Sequence, residues 1–349
     1  MPEEAPAGLP SQHWLCHAGR SGLTQCGPFL QYHHGVNGMD ANLSAVAILP
    51  KPGVGVRSLI ALAQAARPRQ WIKNFACFAG LVFSGRMFEP AAIVESILAF
   101  AGFCLAASAV YLLNDVVDRR LDRLNPSKRD RPIASGLVPV SWALLASGLL
   151  AVGALGTTIR LAPICLMVLA LYLAINVAYS LRLKHTVLLD VLIIAFGFVL
   201  RVLHGVYAIE VKPTSWIVLC MFFLALFLGF AKRRGEMHLM GDAEPFRRPV
   251  LSKYRIGYLD LMLGMTATLA ILCYALYTVT GHRGNASLVV TVPLVTYGVS
   301  RYLLLVTVDG EGEAPEKLLV TDRIILGTGA LWVASCVLVI YSKIQLFAE

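Results

Sequence analysis

The sequence predicts an all-α, polytopic membrane protein, a bundle of about nine transmembrane helices with a cavity open to the cytoplasm. Three observations predict it. Of the 349 residues, 57% are hydrophobic and only 15% are charged, against roughly 25% charged in an ordinary soluble domain. The apolar residues are gathered into consecutive stretches, each near the ~20 residues that cross a bilayer as a helix. Period-2 alternation is missing, so a β-barrel is not in play. Intrinsic disorder, a disulfide-stapled secreted domain and a nucleic-acid-binding module are poor fits to the same figures. The net charge of +9, from 30 Lys+Arg against 21 Asp+Glu, fits basic cytoplasmic loops better than affinity for nucleic acid.

Residues 1–56 come first and differ from the rest. They are rich in Gly, Pro, His and Gln and hold no long apolar run. No basic segment leads into an apolar one, so this is neither a signal peptide nor a spanning helix. It reads as a disordered cytoplasmic tail, with Met39 as an alternative start. Cys16, His17, Cys26, His33 and His34 suggest zinc, but their spacing matches none of the usual ligand patterns. The membrane-spanning unit is then 57–349. Its predicted helices are 70–88, 91–113, 137–159, 161–181, 186–207, 214–231, 256–280, 286–306 and 323–342. Of the eight cysteines, six fall inside these runs, where a thiol behaves as a small hydrophobe.

The Lys/Arg distribution orients the bundle. The link 119–131 carries Arg119, Arg120, Arg123, Lys128, Arg129 and Arg131. The link 232–255 carries Lys232, Arg233, Arg234, Arg247, Arg248, Lys253 and Arg255. Arg182 and Lys184 lie between the fourth and fifth helices, and Lys317 and Arg323 at the entry to the ninth. The alternate links hold only Arg86, Arg160, Lys212 and Arg283. Basic links at every second position put the N-terminus in the cytoplasm and the short C-terminus outside.

The segment Tyr111 to Gly136 reads YLLNDVVDRRLDRLNPSKRDRPIASG. Asp115, Asp118 and Asp122 are i, i+3 and i+7, so a continuous helix puts three carboxylates on one face. Like charges packed at a membrane boundary call for a cation between them. Mg²⁺, a hard ion with oxygen ligands that also bridges phosphates, suits that place. Lys128, Arg129 and Arg131 follow as donors for phosphate oxygens. The plainer alternative is a solvated helix end whose acids pair with Arg119, Arg120 and Arg123.

With NDxxDxxxD followed by RPIASG, the chain resembles the UbiA superfamily of intramembrane prenyltransferases over about residues 57–345. The resemblance implies a diphosphate bound through Mg²⁺ at Asn114, Asp115, Asp118 and Asp122. Four stretches are similar to the decaprenyl-phosphate phosphoribosyltransferases within it: RPRQWIKN from Arg67, YSLRLKHTVLLD from Tyr179, KRRGE (from Lys232) with RPVLSKY (from Arg248), and PEKLLVTDR from Pro315. That similarity implies phosphoribosyl diphosphate as the donor and a polyprenyl phosphate lipid as the acceptor, in the inner membrane, for cell-envelope polysaccharide precursors. An aromatic prenyltransferase of the same superfamily and, more remotely, an anion transporter are the alternatives. A homo-oligomer is compatible with each.

Many superfamily members carry a second DxxxD in the link from the fourth helix to the fifth. Asp190 matches its first Asp and joins the catalytic set, but position 194 is Ile, which puts a second metal site in doubt. Asp190, Ile194, Gly197 and Arg201 share a helical stripe, and an ionisable residue inside an apolar helix is costly unless functional or paired. Lys73, Asn74, Tyr179, Lys184, Arg201 and Lys232 complete the phosphate-binding set. Each has a plainer reading: Lys73 as a snorkelling side chain, Lys184 as a positive-inside charge, and Lys232 as the partner of Glu236 at i, i+4. Arg301 sits near the inner end of the eighth helix, and His204 is read as structural.

Overall fold

The computed structural model describes residues 55–240, 251–280, 286–312 and 314–342. The tail before residue 55, including Met39 and the Cys/His group, lies outside them, as do Arg247, Arg248 and Arg283 of the charged links. Twelve α-helices order the described chain: α1 (Val56–Ala65), α2 (Ala79–Phe83), α3 (Pro90–Val117), α4 (Arg119–Leu124), α5 (Val140–Thr157), α6 (Pro163–Leu181), α7 (Leu189–Ala208), α8 (Ser215–Met240), α9 (Ile256–Thr280), α10 (Val292–Thr307), α11 (Pro315–Thr321) and α12 (Arg323–Tyr341). Among the described residues, eight helical segments are long and apolar enough to cross a membrane. They correspond to the second through ninth helices predicted from sequence.

The first predicted helix takes another form. Its residues make a 3-10 helix, Pro68–Phe78, followed by the short α2. The cause is local chemistry: Arg67 takes a left-handed backbone conformation, with φ 54°, immediately before Pro68, and Gln70, Lys73 and Asn74 interrupt the apolar pattern. The segment is wedged between α3 and α7. Three side-chain hydrogen bonds tie it to α3 like rungs. Arg67 Nη2 donates to Asp115 Oδ1 at 2.6 Å, Trp71 Nε1 to Ser108 Oγ at 3.0 Å, and Asn74 Nδ2 to Cys104 Sγ at 3.3 Å. On the other side α7 comes so near that a Cβ on Gly205 would lie 1.8 Å from the Cys77 carbonyl oxygen. Only glycine permits that contact.

Proline opens α3, α6 and α11 at their first positions, where its missing N–H costs nothing and its φ suits the helix. The Asp322 carboxylate caps α12 by accepting from Ile325 N at 2.8 Å. Arg234 of α8 donates to the terminal carbonyls of α10, Val306 at 2.5 Å and Thr307 at 3.1 Å, a cation placed against the negative end of a helix dipole.

Two apolar cores hold the bundle. Phe103, Val110, Leu169, Tyr172 and Leu200 join α3, α6 and α7. Val191, Phe227, Phe230, Leu259, Leu263, Tyr302 and Val306 join α7, α8, α9 and α10. By contrast, Leu145, Leu149 and Val152 of α5 and Leu331 and Leu338 of α12 are exposed. Outward apolar side chains on helices of spanning length belong in lipid, so the chain is a multi-pass membrane protein.

Candidate active site

Asn114, Asp115, Asp118, Asp122, Arg131, Lys184 and Asp190 lie at one end of the bundle, where α3 ends, α7 begins and α8 ends. Asp115 lies on the last turn of α3, Asp118 at the joint that follows, and Asp122 on α4. Asp115 and Asp122 are buried, whereas the Asp118 side chain is 20% exposed. Arg131, returning from the loop, bridges the first and third: Nη1 is 2.7 Å from Asp122 Oδ2 and 3.4 Å from Asp115 Oδ1. Arg67 approaches Asp115 from the 3-10 segment, with its guanidinium over the Tyr111 ring. Asp118 turns elsewhere. It accepts from Asn114 Nδ2 at 3.1 Å and from Lys184 Nζ, and the same Nζ reaches Asn114 Oδ1 at 3.5 Å.

Three carboxylates are thus matched by three cations from three separate chain segments. Burial pushes the Asp122 carboxyl up from the ordinary range, and the Arg131 and Lys128 charges pull it back. Lys128 is half-buried near it, while Arg129 is exposed. Arg119, Arg120 and Arg123 do not supply the partners of these acids; Arg123 instead donates to the Ala134 carbonyl at 2.6 Å.

A test of metal fit follows from this donor set. Among the described residues no three His, Cys, Asp or Glu side chains are grouped tightly enough to hold an ion by themselves. The oxygens of Asp115, Asp118, Asp122 and Asn114 are all hard donors, however. Mg²⁺ commonly takes only one or two carboxylates and completes its shell with water and substrate phosphate. The residues fit that type of site and not a preformed all-protein cage.

A second acidic group, Asp190 and Glu236, lies where α7 begins and α8 ends. Asp190 Oδ2 accepts from Arg233 Nε at 2.7 Å, and Asp190 Oδ1 accepts from the Tyr254 hydroxyl at 3.1 Å. Arg233 Nη1 also donates to Glu236 Oε2 at 2.7 Å. The Leu188 N–H donates to Tyr254 Oη at 2.9 Å, which steadies a turn where Leu188 adopts φ 69°. A positive φ is costly for leucine and persists only where the surroundings impose it. Burial pushes the Tyr254 hydroxyl up to about 12, so it keeps the proton it donates to Asp190. Tyr179, on the last turn of α6, lies within electrostatic reach of Arg233.

Asn74 and Arg201 meet deeper in the bundle. Arg201 Nε donates to Asn74 Oδ1 at 2.7 Å, Nη1 to the Gly197 carbonyl at 2.7 Å and Nη2 to the Tyr172 hydroxyl at 3.0 Å. Its guanidinium lies over the Phe103, Tyr172 and Phe198 rings. Lys73 and Lys232 are half-buried. His204 is fully buried against the Phe103 ring, 5.0 Å between centroids. Arg301 pairs with Asp322 at 2.9 Å.

Sequence reasoning did not assign Arg67, Arg233 or Tyr254. Each stands inside a quoted motif: the first residue of RPRQWIKN, the second of KRRGE and the last of RPVLSKY. Their partners are 48, 43 and 64 residues away in the chain, and no local periodicity reports such pairings.

Comparison with known proteins extends this picture. Residues 74–321 match the UbiA prenyltransferase family. The chain is 33% identical over 317 residues to a decaprenyl-phosphate phosphoribosyltransferase of Mycolicibacterium smegmatis, covering 87% of this chain and 99% of that protein. It is 31% identical over 287 residues to the protein of the same name from Corynebacterium glutamicum, covering 80% and 86%. The fold superposes on a UbiA homolog from Archaeoglobus fulgidus bound to GPP and Mg²⁺, with a TM-score of 0.61, 20% identity, and coverage of 81% of this chain and 99% of that one.

Proposed function

The chain belongs to the UbiA prenyltransferase family, and on that premise we propose that it moves a 5-phosphoribosyl group from phosphoribosyl diphosphate to a polyprenyl (decaprenyl) phosphate. Diphosphate is released, and the product feeds cell-envelope polysaccharide synthesis. The reaction takes place at the cytoplasmic face of the inner membrane, within the unit 57–349. One observation carries the reading: three carboxylates from α3, α4 and the joint between them meet three cations from three separate segments at one end of an apolar bundle. The names of these two relatives support the choice of substrates.

The chemistry suits these residues. The bond from ribose C1 to the diphosphate oxygen breaks, with the electron pair leaving on diphosphate, and an acceptor phosphate oxygen bonds C1. Asp115, Asp118, Asp122 and Asn114 would hold Mg²⁺, which when bound neutralises the leaving diphosphate. Positive charge develops on the ribose, as in oxocarbenium-like glycoside transition states, and the carboxylates favour it. The acceptor phosphate has a second pKa near ~6 and is already anionic, so no strong general base is required. Arg67, Arg131 and Lys184, which pair with the aspartates, would trade a carboxylate for a phosphate oxygen, and Lys73, Lys128, Arg129, Tyr179 and Lys232 would supply further phosphate contacts. Holding two anionic substrates in register supplies much of the rate. The lipid tail of the acceptor lies along the apolar helices.

The test is an assay of purified protein with ribose-labelled phosphoribosyl diphosphate and polyprenyl phosphate, with and without Mg²⁺. Label entering the lipid extract, stopped reversibly by EDTA, is the expected result. Label entering only from an allylic prenyl diphosphate overturns the reading in favour of an aromatic prenyltransferase.

A further inference from the structure

We infer that Arg233 closes the second acidic site to metal, so that this chain holds its divalent cation at the Asp115–Asp118–Asp122 cluster alone. The inference rests on the family reading for the first cluster but concerns the second. One turn along α7 from Asp190, position 194 is Ile, whose side chain has no oxygen to give. The structure brings Glu236 towards Asp190 instead, and a single guanidinium binds both carboxylates, each at 2.7 Å. A fixed organic cation therefore stands where two carboxylates converge.

The two clusters differ in how readily their cations can leave. Arg67 and Arg131 are each 28% exposed and have water within reach when a carboxylate is given up. The Arg233 and Asp190 side chains are 3% and 2% exposed. Expelling a buried guanidinium strands an uncompensated charge, which is strongly unfavourable. Tyr254 donates to the other Asp190 oxygen and accepts from the Leu188 N–H, which holds the carboxylate facing Arg233. The pair is a permanent counter-charge that fixes the start of α7 against the end of α8.

The test counts metal and needs no transfer reaction. Mn²⁺ alone, as a paramagnetic substitute for Mg²⁺, is titrated into the purified full chain in detergent, and free ion is read by electron paramagnetic resonance. One Mn²⁺ per chain is expected, weakened at least tenfold by Asp118→Asn and unchanged within twofold by Asp190→Asn. Arg233→Gln, which leaves Asp190 and Glu236 without their shared cation, should raise the count to two. A wild-type count of zero or two, a tenfold loss in Asp190→Asn, or a count that stays at one in Arg233→Gln overturns the assignment. Asp190→Asn retains an oxygen for Arg233 and keeps the test decisive where the Arg233 variant fails to fold. Failure of ribose label to reach lipid, with one Mn²⁺ still bound, rejects the proposed reaction and leaves this inference standing.

Discussion

At the mouth of the bundle, Asp115, Asp118 and Asp122 share cations from three separate segments, with Arg67 and Arg131 28% exposed and Lys184 10% exposed. Eleven residues along α7 from Asp190, about 16 Å deeper, the Arg201 guanidinium is 5% exposed. All its assigned partners are neutral: Asn74, Gly197, Tyr172 and three aromatic rings. Among the described residues no carboxylate lies within ion-pair distance of it. Both regions use arginine and an amide, yet they differ in exchangeability. The mouth can surrender an ion pair to an incoming phosphate because water takes up the released group. The deep ring cannot, because each donor it loses strands an acceptor in a dry interior. Of the sequence-predicted phosphate ligands, the mouth keeps Lys184 and Arg131 beside the aspartates. The bundle interior takes Asn74 and Arg201 together as a strut between the 3-10 segment and α7.

Substitutions can break this contrast, the strongest first. Asp118→Asn should cut phosphoribosyl transfer by about 100-fold or more, some 3 kcal/mol in the barrier, with little change in the thermal midpoint in detergent. Near-normal turnover in a folded variant would remove the aspartate cluster from the reaction. Arg201→Met should do the reverse and lower the thermal midpoint more than any change at the mouth. It orphans the acceptors of Asn74, Gly197 and Tyr172, each worth about 1–3 kcal/mol when buried without a partner. An Arg201→Met protein of wild-type stability with a raised KM for the donor would move Arg201 into the substrate site and erase the distinction.

Smaller effects sharpen it. Lys184→Gln should raise the KM for phosphoribosyl diphosphate about tenfold, while kcat changes less, since the group positions a phosphate without entering the chemistry; a selective loss of kcat speaks against that. Asp322→Ala, which removes a carboxylate paired with Arg301 and with neither region, should lower the thermal midpoint slightly through loss of the α12 cap and leave transfer untouched. Its pH dependence has a definite sign. The Arg301 hydrogen bond and the Ile325 N–H hold the Asp322 carboxyl below its ordinary value, so its stabilisation is present above about pH 4. That stabilisation fades as pH falls through the lower folded-state value. Wild type and Asp322→Ala should therefore converge in acid, as thermal melts across pH would record.

Much of the bundle is legible in the chain. Eight of the nine predicted helices appear near their expected places because an apolar run of spanning length has one common solution in a bilayer, a helix with its backbone satisfied internally. The exception, 70–88, carries Pro68 at its edge and polar residues through its first turns, and a 3-10 helix held by α3 and α7 resolves that conflict. The site was legible in its residue types and only partly in its pairings. NDxxDxxxD identified the acids, and a turn at Asp118 then divided them between Arg131 and Lys184.

The sequence by itself determined the membrane-spanning helices, the basic links, the acidic motif and the family, because each is a property of composition or short-range spacing. Tertiary structure decided which cation answers each carboxylate. It gave Arg67, Arg131 and Lys184 to the first cluster, Arg233 and Tyr254 to Asp190, and left Arg201 among aromatic rings. Those choices depend on helices distant in sequence meeting at one end of the bundle. There the exposure of each charge settles whether it can be exchanged or must stay.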